Sequence, residues 1–159
     1  MIVVSDSSPL ISLARANHTF LLPQLFGRVI VPEAVRAELE NAPSGAPELD
    51  LQRETWLSIV ALKDQAKAAT FNDLLDPGEA EAIALALELK ADWLLMDERK
   101  ARAFAQKLGI RVIGVLGVLL EAKKRSVIEK IAPVLSELDS AGIWIADDLK
   151  NKALRSAGE

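Results

Sequence analysis

The sequence predicts an α/β fold: a mainly parallel five-stranded sheet of order 3-2-1-4-5, with helices on both faces in a three-layer sandwich. Three observations predict it. Short apolar runs alternate with helical patterns along the whole chain, which implies parallel strands joined by covering helices. Several of those runs are apolar throughout, as a strand buried on both faces requires. Two of them stop abruptly on a carboxylate, at Asp6 and at Asp97. In a flavodoxin-like strand order those two strands are neighbours, and ligands bind outside their C-terminal ends at that switch point.

The elements follow in order. Residues 2–5, 28–31, 57–62, 92–96 and 111–115 read as strands, rich in Val, Ile and Leu. Helices are expected at 8–16 and 19–26, then 32–41, 64–75, 77–90 and 98–108, and finally 116–125, 128–139 and 146–157. Residues 42–56 carry two prolines, a glycine and mixed charge, and predict a loop with one helical turn at most. The sequence shows no internal repeat and no linker. A single domain over residues 1–159 is expected, with the helices of about 128–159 packing on it.

Composition narrows the function. Half of the 159 residues are hydrophobic, enough for a sizeable core. The formal net charge of −4 excludes nucleic-acid binding by bulk positive charge, so such a partner needs a local basic patch or bound metal ions. There are no cysteines, hence no disulfide and no thiolate metal site. No apolar run approaches the ~18 residues of a membrane span, and no signal-type segment opens the chain. A soluble cytoplasmic protein without a membrane partner is expected.

Among the 23 acids, position separates four from the rest. Asp6 and Asp97 end the first and fourth strands. Glu38, on the helix "PEAVRAELENA", lies beside the stripe of Val35, Leu39 and Ala42, whereas Glu33 and Glu40 lie away from it. Glu79, on "DPGEAEAIALALELK", falls on the side of Ile83, Ala86 and Leu87, while Glu81 and Glu88 mark the opposite, wet face. Each also has an ordinary explanation. Asp6 and Asp97 stand where helix caps stand, with Pro9 just inside the first helix. Asp76-Pro77-Gly78-Glu79 reads as a capping box. Glu38 fits an amphipathic edge. Four acids converging on one sheet edge exceed what capping alone explains, and capping of the first helix then falls to Ser7 or Ser8.

Carboxylates packed together repel, and one protonates unless a cation intervenes. Hard divalent ions such as Mg²⁺ or Mn²⁺ take such oxygen ligands. The matching chemistry is metal-assisted phosphoryl transfer.

The segments "VVSDSSPLISLA", "VIVPEAVRAELE", "DPGEAEAIALALELKADWLLMDERKARAFAQKLGI" and "VIGVLGVLLEAKKRSVI" together resemble the PIN-domain ribonucleases, in particular an uncharacterised, VapC-like toxin branch. The resemblance covers most of the chain to about residue 139. It implies a Mg²⁺- or Mn²⁺-dependent endoribonuclease, with one or two ions, acting on RNA. It also implies an antitoxin protein as a possible partner and a homodimer. Its acidic quartet falls on Asp6, Glu38, Glu79 and Asp97, and its small hydroxylic residue on Ser7. Glu81 and Glu98 are near enough to serve as supporting or alternative ligands. Two departures stand out. The branch usually has Gly-Thr-Leu-Gly where this chain has Gly114-Val115-Leu116-Gly117, and often Gly where Ser126 stands.

Arg99, Lys100 and Arg102 follow Asp97 and are candidates for phosphate contacts, or else a solvated helix face. Lys123, Lys124 and Arg125 suit a helix C-terminus. His18, the only histidine, sits in the loop-like stretch "ANHT" and is not expected to be catalytic. Trp56, Trp93 and Trp144 have apolar neighbours and read as packing rather than as stacking platforms. Leu21, Leu22, Leu25 and Phe26 serve either the core or a dimer contact. Two other functions compete with the nuclease. A binding module could keep the fold and lose catalysis. An aspartyl-phosphate phosphatase would need a second Asp two residues after Asp6, where Ser8 stands.

Overall fold

A computed structural model describes residues 1–41 and 49–159. Its sheet has five strands, β1 (Val3–Ser5), β2 (Val29–Val31), β3 (Leu57–Ile59), β4 (Trp93–Leu95) and β5 (Val112–Ile113), in the order β3-β2-β1-β4-β5. Every pairing is parallel. The sequence predicts this order and these strands, though each is shorter than expected. β3 shows why: it lies on the edge and pairs only with β2, which ends at Val31.

Around the sheet pack α1 (Ser7–Arg15), α2 (Leu21–Phe26), α3 (Glu33–Glu40), α4 (Gln65–Ala69), α5 (Pro77–Leu89), α6 (Arg99–Lys107), α7 (Val115–Lys124), α8 (Ala132–Ser140) and α9 (Asp147–Ser156). Val3 and Val4 are consecutive and both fully buried. Neighbouring strand side chains point to opposite faces, so β1 is covered on both sides. α5 is the central helix. It is buried almost continuously from Gly78 to Ala86 and packs on α3, α4, β1 and β4.

That packing corrects one expectation. Glu81 and Glu88 are half-buried rather than wet. The Ala34 N–H donates to Glu81 at 3.4 Å, and the Lys63 and Asp64 N–H groups donate to Glu88 at 3.1 and 2.8 Å. α5 therefore meets other elements on every side. A one-face wheel fails for a helix surrounded by protein.

Most helices are a residue or two shorter than predicted, and α4 and α8 are shorter by more. α4 stops at Ala69, where the Thr70 hydroxyl turns back to the Lys67 carbonyl at 2.6 Å. α8 begins at Ala132, after a stretch of turns and bends that starts with Ser126 in a left-handed conformation (φ 59°) just beyond α7. Residues 49–56 are turns and coil, as expected of that stretch, and its remaining residues 42–48 lie outside the described residues. Leu21, Leu22, Leu25 and Phe26 are buried in the chain's own core, so they supply no dimer surface.

The last helices are tied to the body by specific bonds. His18 Nε2 meets Glu137 on α8. The Glu159 carboxylate accepts from Ile131 N–H at 2.8 Å, Ala132 N–H at 3.1 Å and Lys123 Nζ at 3.0 Å. Those donors, Ile131 first, hold its pKa below the usual carboxylate range. No helix among the described residues is long and apolar enough to cross a membrane.

Candidate metal centre at the strand ends

Parallel strands put all their C-terminal ends on one edge, and the first acid there is Asp6. It is 3% exposed. Its backbone N–H continues the sheet, donating to the Leu95 carbonyl at 2.9 Å. It stands at the N-cap position of α1 in extended conformation (φ −76°, ψ 170°), yet its side chain makes no cap bond. Oδ1 is buried with no hydrogen-bond partner. Burial drives its pKa up to about 7, partly offset by the Ser7 N–H and reinforced by the charges of Glu38, Asp76 and Glu79. Asp6 is thus at the cap position without capping. Nor does either serine take over, because Ser7 is already inside α1 and its hydroxyl is engaged elsewhere.

The Ser7 Oγ donates to Glu38 Oε2 at 2.5 Å. This fixes the α3 carboxylate against the start of α1. Gly78 packs directly under Glu38: a Cβ there would overlap the Glu38 carboxylate. So the second residue of α5 is small because an acid from α3 lies across it.

Glu79 is 8% exposed and combines both explanations offered for it. The capping box forms, with the Glu79 N–H donating to Asp76 at 2.8 Å and the Asp76 N–H donating to Glu79 Oε1 at 3.1 Å. Burial nevertheless raises its pKa, against the Asp76 N–H, and the charges of Asp76, Glu98 and Glu38 raise it further. Asp76, read from sequence only as a cap, is therefore part of the acidic cluster. The signal was present, since Asp76 stands three residues before Glu79.

Asp97 stands apart from this group. Ser5 pairs with Leu95, so continuing the register sets Asp6 opposite Met96, and Asp97 comes one residue later. Its Oδ1 accepts from the Val115 N–H at 2.9 Å, at the start of α7. Arg102 donates to the Met96 carbonyl at 3.0 Å and lies beside Asp97. A Cβ at Gly114 would come within 2.6 Å of both Asp97 Oδ1 and Arg102 Nη1. Surrounding protein raises the Asp97 pKa, while the Val115 N–H and Arg102 lower it. Glu98 caps α6, accepting from the Ala101 N–H at 2.7 Å. Glu81 lies at the first turn of α3. Arg99 and Lys100 are exposed, and Arg102 is half-buried over its carbonyl partner.

The structure thus joins Asp6, Glu38 and Glu79 electrostatically and sets Asp97 on the adjoining strand. Among the described residues no group of three carboxylate or imidazole side chains stands ready to hold one ion. The donor chemistry still fits a hard divalent cation. A buried carboxylate oxygen lacks any partner, its neighbours are acids, and Mg²⁺ needs only one or two carboxylates beside its waters.

In open parallel α/β sheets ligands bind outside the strand C-terminal ends at the switch point, and here Asp6 and Asp97 follow the two strands that meet there. A family model described as a PIN domain matches residues 2–159, and the chain belongs to the PIN-domain family. PIN domains are generally nucleases and typically use divalent metals. No curated protein and no solved structure matches the chain significantly.

Proposed function

We propose that this protein is a Mg²⁺- or Mn²⁺-dependent endoribonuclease, the toxin of a toxin–antitoxin pair of the VapC-like branch, acting in the cytoplasm as a homodimer. The observation that carries the nuclease reading is Asp6, a fully enclosed carboxylate with an unpartnered oxygen among three other acids. The capping box accounts for Asp76 and Glu79 but leaves the buried Asp6 oxygen unpartnered, so a bound cation is its natural complement. Asp6, Glu38, Glu79 and Asp97 are the residues to hold it. The ion, when bound, supplies Lewis acidity toward water and the phosphodiester. Ser7 keeps the Glu38 carboxylate in place. Arg99 and Lys100 lie exposed just beyond Asp97, suited to phosphate contacts.

The test is purified protein on RNA with Mn²⁺, Mg²⁺ or EDTA, beside Asp6→Asn. Cleavage that needs the metal and Asp6 is expected. Cleavage surviving both EDTA and the substitution overturns the proposal.

One observation favours a second reading, a binding module with little catalysis. The Asp97 carboxylate faces the Val115 N–H and Arg102 rather than the other acids. Calorimetry showing no Mn²⁺ binding by folded protein would support that reading.

A further inference from the structure

A cleft of about 1490 Å³ has Asp97 on its wall, together with β5, α7 and the segment between α8 and α9. Trp144, in that segment, lines the cleft and is 84% exposed. This reverses the expectation that all three tryptophans serve packing. Trp56 and Trp93 are half-buried, with Trp56 bonded to Glu54 and Trp93 lying under Arg111.

Four cations share the wall. Lys123 is paired with Glu159 and Arg102 with the Met96 carbonyl, which leaves Arg99 and Lys124 without an ion pair among the described residues. The acids on the wall are Asp97, Glu121 paired with Arg125, and Asp148.

We propose that this cleft binds a single-stranded nucleic-acid segment, stacking an unpaired base on Trp144 while Arg99 and Lys124 contact its phosphates. An exposed indole offers a flat π face, and bases stack on such faces whatever their sequence. A phosphate backbone needs cations nearby, and in a chain of net charge −4 these two make no ion pair among the described residues and line the cleft that reaches Asp97. The apolar part of the wall could also take a second copy of the chain or a partner helix. The two cations and the wall shared with Asp97 favour the flat-faced anionic polymer. The choice of nucleic acid rests on the nuclease reading, but the binding is measurable without cleavage.

The experiment uses the full chain in EDTA with fluorescein-labelled oligoadenylate, single-stranded or as a duplex with oligouridylate. Anisotropy and tryptophan emission are read for wild type, Trp144→Ala and Trp144→Phe. Wild type should prefer the single strand and show quenched emission. Trp144→Ala should weaken binding about tenfold or more and lose the quenching, and Trp144→Phe should restore most of the affinity. Unchanged thermal unfolding would show that the variants fold. Equal binding by Trp144→Ala, or no preference over duplex, overturns the proposal. So does loss of self-association on Trp144→Ala with RNA binding intact, which assigns the face to a second copy. Wild-type cleavage with Mn²⁺ alongside either failure removes only the cleft inference. Quenching and preference without any cleavage remove only the nuclease reading.

Discussion

The Ser7 hydroxyl donates to Glu38 Oε2 at 2.5 Å, joining the first residue of α1 to the acid on α3. This bond makes the small hydroxylic residue after Asp6 a holder of the neighbouring carboxylate. Ser7→Ala should cost roughly 1.5–3 kcal/mol of stability, as for a hydrogen bond to a charged group, and should weaken Mn²⁺ binding. Urea denaturation and calorimetry check the two effects. Unchanged Mn²⁺ affinity would show that Glu38 needs no such support.

Asp6 predicts an unusual pH dependence. Its native pKa of about 7 lies above the ordinary value of 3.8, so between those values the native state holds the proton more tightly than the unfolded chain. Metal-free stability is therefore highest at the acidic end and falls as pH rises through about 7. Between about pH 5 and pH 8 the Asp6 contribution is a loss of roughly 2–3 kcal/mol. Asp6→Asn should abolish this loss and be the more stable protein at pH 8 in EDTA. Added Mn²⁺ should stabilise wild type more at pH 8 than at pH 5, because a ligand carboxylate must be deprotonated. Denaturation at both pH values checks each point.

Gly78 separates site from scaffold. Alanine is the better helix former by about 1 kcal/mol, but its Cβ would collide with the Glu38 carboxylate. Gly78→Ala should therefore change stability little while displacing Glu38. Activity and Mn²⁺ affinity should fall well before the unfolding midpoint does. A variant with wild-type metal affinity would show that Glu38 is not a ligand.

The Asp97 and Glu79 carboxylates each accept a backbone N–H, from Val115 and Asp76 respectively. Asp97→Asn keeps an oxygen for the Val115 N–H, and Glu79→Gln keeps the capping box, which accepts Gln at that position. Both variants should stay within about 1 kcal/mol of wild type in stability while losing cleavage. Asp97→Ala should lose both. Full activity in Asp97→Asn would make its carboxylate a helix-start acceptor only.

Ser126 occupies a left-handed position (φ 59°), a conformation that favours glycine. Ser126→Gly should raise the unfolding free energy by about 0.5–1 kcal/mol, since a non-glycine residue pays more than that in this region and glycine returns part of it as unfolded-chain entropy. Thermal unfolding checks it.

The strand order, the parallel pairing and the place of Asp6 and Asp97 after β1 and β4 were legible in the chain because they rest on local rules. Apolar runs without alternation mark strands buried on both faces, and alternation with helices makes them parallel. Asp76 could be read as a cap, and it is one. Side-chain partnership was not legible. Glu81 and Glu88 look wet on a helical wheel, yet α3 and the start of α4 close over them. Trp144 sits among apolar residues in sequence but points into open space in the fold.

The sequence by itself determined which acids arrive at the strand ends, since element period and strand order depend on neighbours a few residues apart. Only the tertiary structure decided how those acids divide. The β1–β4 register opposes Asp6 to Met96, the Val115 N–H claims Asp97, and Ser7 claims Glu38. Such partnerships depend on distances between segments far apart in the chain, which no local pattern encodes.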